Sequence, residues 1–157
     1  DKMCEEKFWT GARFAKSVID SSNEVVSKFV KKYGFKKVNL FGYSGGAAVA
    51  VLVASLRDDV ALIGTVAGNL NHKELMLMHG VSPLDESLDA IDVVEKVKDI
   101  EQFHLIGAKD GVVMPKIVLS FAMRVNLVGG KAKFKVIDEA GHQYKRWPEV
   151  WVMALSR

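Results

Sequence analysis

The chain has 157 residues, 49% of them hydrophobic and 26% charged, with a formal net charge of +3. That is the length of one domain, enough to bury roughly 70% of the unfolded surface without staples. High apolar content excludes a disordered chain, Cys4 as the only cysteine excludes a disulfide scaffold, and dispersed basic residues give no nucleic-acid footprint.

In chain order, Phe8-Trp9 is expected to pack over the sheet or touch a pocket, and Cys4 reads as an incidental thiol. Val18, Ile19, Ser22, Val25, Val26, Phe29, Val30 and Tyr33 recur at helical spacing, and Gly34 supplies the stop. Lys31-Lys32 and Lys36-Lys37 read as a solvated rim. Val38 to Phe41, bounded by Gly42, is short and β-prone, as a buried strand should be. Gly45 to Leu56 is small and apolar on nearly every side, which predicts a helix packed within the domain. Its run from Ala47 to Ala54 is the longest uninterrupted apolar stretch, far short of the ~18–20 residues a membrane span needs.

Val60 to Val66, Phe103 to Ile106 and Ala132 to Ile137 predict three more strands, the last near a sheet edge because Lys133 and Lys135 alternate with Phe134 and Val136. Pro115 to Leu127 predicts a helix with proline in its first turn, and Pro148 to Ser156 a short terminal helix. Strands alternating with helices imply a mostly parallel sheet covered on both faces. Residues 69–100 form a longer, polar connection, expected to act as a short cap-like insertion with helix at His72–Met78 and Ala90–Val97. Such an insertion belongs over the strand ends, where ligands bind in open α/β sheets.

Gly42-Tyr43-Ser44-Gly45-Gly46 lies between a predicted strand and a predicted helix, the setting of a G-x-S-x-G nucleophile elbow. Serine there occupies a sharp turn, so residues two positions to either side are expected to lack bulk. A triad of this order needs an acid and then a histidine past later strands. Asp110 follows the third strand in Gly107-Ala108-Lys109-Asp110-Gly111-Val112-Val113-Met114-Pro115, and His142 follows the fourth in Gly141-His142. Taken alone, Asp110 also reads as a turn or cap residue and His142 as a loop histidine.

These pieces, with Val66-Ala67-Gly68-Asn69-Leu70, resemble the α/β-hydrolase family, in the family's order over residues 38 to 142. The resemblance implies a serine hydrolase acting on an ester, thioester or amide of a small-molecule acyl compound, without cofactor or metal. It implies Ser44 as nucleophile, His142 as base, Asp110 as its orienting acid and the Gly45 N–H as oxyanion donor. Tyr43, Asn69 and Met76 become substrate-binding candidates, Met76 within a Leu75-Met76-Leu77-Met78 stretch that could line an acyl pocket. His72, His79 and His104 lack metal-ligand spacing.

The loop that normally gives the second oxyanion donor, after an earlier strand, has no counterpart before Tyr33. His79-Gly80 has suitable letters but follows the elbow. With four recognisable strands of the family's eight, and a start at Asp1-Lys2-Met3 without a signal-peptide pattern, the chain is expected to be the later part of a hydrolase domain. The alternatives are a hydrolase-fold protein that binds without turnover, and another chemistry, such as lyase or perhydrolase, on the same triad.

Overall fold

The computed structural model describes residues 5–155, so Cys4 and Ser156 lie outside the described residues. A 3₁₀ turn at Glu6–Trp9 leads into helix α1 at Lys16–Tyr33. Gly34 ends α1 in the left-handed region at φ 68°, its N–H bonded to the Val30 carbonyl. Strand β1 (Val38–Tyr43), helix α2 (Gly45–Ala54) and strand β2 (Val60–Val66) follow. The 69–100 connection holds α3 (His72–His79), then a 3₁₀ turn at Ala90–Val93 running into α4, a single turn at Val94–Val97. β3 (Glu101–Gly107), α5 (Pro115–Leu127), β4 (Ala132–Ile137) and α6 (Trp147–Leu155) complete the described chain.

The expected elements are present with shifted ends. β1 runs two residues past Phe41 because Gly42 and Tyr43 keep pairing, with Thr65 and Val66. The helix expected at Ala90–Val97 is broken into a 3₁₀ turn and one α turn. Its spacing puts Ala90, Val94 and Val97 inward, but no side-chain cap starts either piece. Phe8 is half-buried and Trp9 is 67% exposed, so Ala12 and Phe14 provide that segment's cover instead.

All four strands are parallel, in the order β1-β2-β3-β4. Side chains alternate between two faces, and each face has its own cover. Val38 and Leu40 of β1, Ile63 of β2 and Ile106 of β3 join the larger core with α1, the apolar α2 and α5. Phe103 and Leu105, with Val66 and Ile137, join a smaller cluster with Trp147 and Val150 of α6. Helices therefore cover both faces. Gly64 lets α6 close down: a Cβ there would come within 2.5 Å of Trp151 and 2.6 Å of Phe41.

Both edges of the sheet carry exposed apolar side chains. On β1 these are Phe41 and Tyr43, and on β4 Phe134 and Val136, so β4 is the expected edge but not a clean polar alternation. α1 leaves Val25, Phe29 and Tyr33 more than half exposed, with Ile19 its fully buried anchor. Lys31, Lys32, Lys36 and Lys37 are exposed, as a solvated rim requires.

Within the sheet, Thr65 Oγ1 and His104 Nδ1 meet at 2.8 Å, and Phe121 packs edge-on against the imidazole. Burial lowers the His104 pKa from 6.5 to about 4. The unfolded chain therefore takes up this proton first as pH falls. Stability from the neutral imidazole is complete above about pH 6.5 and is lost toward pH 4. Thermal unfolding should show a loss of about 2 kcal/mol between pH 7 and pH 5 from this group. His104→Gln should flatten that interval, and an unchanged slope would contradict the assignment.

Candidate active site

The four parallel strands end at one rim, and the site is built there. One residue, Ser44, separates β1 from α2, with φ 53° and ψ −122°. A side chain at such angles carries strain of order 1–3 kcal/mol, held in place by its surroundings. The Ser44 N–H donates to the Val66 carbonyl at 3.0 Å, while the Ser44 carbonyl accepts from Ala47 N–H at 3.1 Å and Asn69 N–H at 3.0 Å. A Cβ on Gly42 would lie 2.5 Å from Ala47 Cα and N, so the close strand–helix approach requires glycine there. Gly46 has nothing within 4 Å of such a Cβ. The steric reason expected for both flanking glycines therefore applies to Gly42 alone.

Asp110 stands past β3 in a loop stitched to the one after β4. Ala108 N–H donates to Ile137 O at 3.0 Å and Lys109 N–H to Ala140 O at 2.9 Å. Gly107 permits this, since a Cβ there would lie 2.5 Å from the Ala140 carbonyl oxygen. Asp110 is 3% exposed, and its two oxygens divide their work. Oδ1 accepts from Val112 N–H at 2.9 Å and Val113 N–H at 2.8 Å, while Oδ2 stands 2.8 Å from His142 Nδ1. Turn cap and histidine partner are thus the same carboxylate.

His142 Nε2 lies 3.0 Å from Ser44 Oγ. A carboxylate can only accept, so the proton belongs on Nδ1 and the Nε2 lone pair faces the serine hydroxyl. The His142 carbonyl accepts from Tyr43 Oη at 2.8 Å and from Trp147 Nε1 at 3.0 Å. Burial, with a smaller push from the Asp110 charge, raises the Tyr43 pKa, which keeps its hydroxyl a donor. Gly45 opens α2, and the first N–H groups of a helix have no partner within it.

The structure therefore brings Ser44, Asp110 and His142 into one hydrogen-bonded chain, with Gly45 and Tyr43 beside it. Asn69 reaches Ser44 through its backbone, and its side-chain Oδ1 is buried with no hydrogen-bond partner. Met76 packs against the large core, while Leu77 is 80% exposed. The 69–100 segment is also tied down by bonds of its own: Asp89 accepts from the His72 and Lys73 N–H groups, and Phe14 bonds Ser87 and Leu88. At the end of α3, His79 Nε2 donates to Val112 O at 2.8 Å and so touches the Asp110 loop. Trp147 was not legible as a site residue, because its contact comes from the fold of the loop before α6. Among the described residues no group of three or more His, Cys, Asp or Glu side chains could hold a metal ion, and no helix is long and apolar enough to cross a membrane.

No protein-family model matches the sequence, and no curated protein does. Solved structures match over most of the chain. A Pyrococcus furiosus esterase superposes with a TM-score of 0.68 at 20% identity, over 89% of this chain and 59% of that one. An acetyl xylan esterase from Paenibacillus sp. R4 gives 0.69 at 18% identity, over 88% of this chain and 51% of that one. An α/β hydrolase from a Moroccan lagoon-sediment metagenome gives 0.62 at 17% identity, over 88% and 68%. The fold is that of the α/β hydrolases. This chain spans about three fifths of the Pyrococcus esterase's length.

The two glycines flanking Ser44 therefore differ in what an added Cβ would meet. In urea unfolding, Gly42→Ala should cost at least about 2 kcal/mol, the range of forced overpacking. Gly46→Ala should change stability by no more than about 1 kcal/mol, with alanine favoured in a helix. Equal losses at the two positions would contradict the account.

Proposed function

We propose that this chain carries the catalytic residues of a serine hydrolase that cleaves a carboxylic ester, or a thioester or amide, through an acyl-enzyme on Ser44. The observation that carries the proposal is the unbroken chain from Asp110 Oδ2 to His142 Nδ1 at 2.8 Å and from His142 Nε2 to Ser44 Oγ at 3.0 Å. Ser44 Oγ attacks the acyl carbonyl carbon as His142 Nε2 takes its proton, and the same nitrogen returns the proton to the leaving group. Asp110 stabilises the charged imidazole without taking its proton. The Gly45 N–H, at the positive end of α2, donates to the developing oxyanion. Water then releases the acyl group by the same steps.

The α/β-hydrolase fold and the esterases it is shared with support an ester as substrate class, by analogy of fold. Asn69 and Met76 remain candidates for substrate contact, Asn69 through its place against Ser44. Among the described residues no strand pairs with the outer edge of β1, which supports the reading that this is part of a larger hydrolase domain; 69–100, between β2 and β3, is read as an insertion within it.

The test is a panel of p-nitrophenyl esters of increasing chain length, assayed on the natural gene product containing these residues. Turnover is expected, with kcat falling at least about a thousandfold in Ser44→Ala and in His142→Ala. Turnover that survives Ser44→Ala would overturn the mechanism. Silence of the folded protein across the panel would favour a binding protein of the same fold.

A further inference from the structure

The histidine is held through its backbone as well as its ring. A carbonyl oxygen offers two lone pairs, and at His142 both are taken by side chains, Tyr43 Oη at 2.8 Å and Trp147 Nε1 at 3.0 Å. The Tyr43 ring also lies against the imidazole, with centroids 5.1 Å apart and planes tilted by 35°. Tyr43 immediately precedes Ser44, and its backbone is paired with Val66 in the sheet. Trp147 is 7% exposed at the start of α6 and packs edge-on against Tyr144 at 5.7 Å.

Ser44 and His142 are therefore joined twice. One link is the contact between Oγ and Nε2. The other runs through the peptide bond to Tyr43 and its hydroxyl to the His142 carbonyl, which closes a ring around the reacting atoms. The residues around His142, between β4 and α6, have no helix or strand of their own to hold them. With the ring nitrogens alone engaged, the loop peptide could rotate and carry the imidazole off line. Two bonds to the carbonyl fix that peptide plane, and with it the direction of the side chain.

We infer that Tyr43 and Trp147 are positioning residues for His142, setting its distance from the nucleophile before substrate arrives. The inference rests on the reading of Ser44 as nucleophile. It moves Tyr43 from the substrate-binding role suggested by its neighbourhood in the sequence: the hydroxyl hydrogen is spent on the histidine loop. Positioning of this kind acts on the chemical step, because ordering is already complete when substrate binds.

The test compares the full chain with Tyr43→Phe, Trp147→Phe and the double variant, which lose a donor and keep an aromatic ring. Two readouts are taken: kcat and KM on p-nitrophenyl acetate, and the proton NMR signal of the His142 Nδ1–H. Each single variant should lower kcat about tenfold and the double about a hundredfold, the scale of an ångström-sized misplacement. KM should stay within about twofold, and the Nδ1–H signal should broaden in step with kcat. A raised KM at constant kcat in Tyr43→Phe would return Tyr43 to substrate binding and overturn the inference. So would a lowered melting temperature with kcat and the proton signal unchanged. If the wild type turns over no ester, the hydrolase reading fails separately. The NMR arm still decides: a signal that broadens in the variants supports the clamp, and one that does not overturns it.

Discussion

The close approach of α2 to the end of β1 is the constraint on which the site depends. With Gly42 lacking a Cβ, the helix can start one residue after the strand stops, and Ser44 is left in a conformation that L side chains rarely adopt. The strain, of order 1–3 kcal/mol, is offset by bonding both backbone groups of Ser44. Three hydrogen bonds, to Val66, Ala47 and Asn69, each contribute about 0.5–1.5 kcal/mol. The serine side chain is thereby raised at the rim of the sheet, on a scaffold whose core lies among the most buried residues of the molecule.

Asp110 and His142 reach that serine because consecutive parallel strands deliver their C-terminal loops to the same rim. β3 and β4 remain in register through Gly107 and Ile137, and their loops are then sewn together by Lys109 and Ala140. Asp110 uses one oxygen to shape its own turn and the other to face His142, so a single carboxylate links loop geometry to histidine orientation. The two cores divide the support. The large one holds α2, which starts right after Ser44, and the small one, through Trp147, holds the histidine loop.

Much of this was legible from local pattern. Glycine punctuation at Gly34 and Gly42, the helical spacing of 18–33, short β-prone apolar runs and Pro115 marked the elements, and the order Ser44, Asp110, His142 marked the candidate triad. What escaped was long-range or energetic. The hydroxyl of Tyr43 finds a carbonyl 99 residues away, and Trp147 finds the same atom only once the loop before α6 has closed. No periodicity encodes either. The open space beside Gly46 was equally invisible, because letters report which residue is present and not what surrounds it. The Ala90–Val97 stretch satisfied a helical spacing but lacked a cap, and packing against α2 and α5 settled it as two short turns.

A Ser44 Oγ activated by His142 should react with a fluorophosphonate probe, which reads the nucleophile without any assumption about substrate. Peptide mass mapping after labelling should place the single adduct on Ser44 in the natural protein, with labelling abolished in Ser44→Ala and slowed at least about a hundredfold in His142→Ala. An adduct on another residue, or labelling of Ser44 at an undiminished rate without His142, would contradict the account.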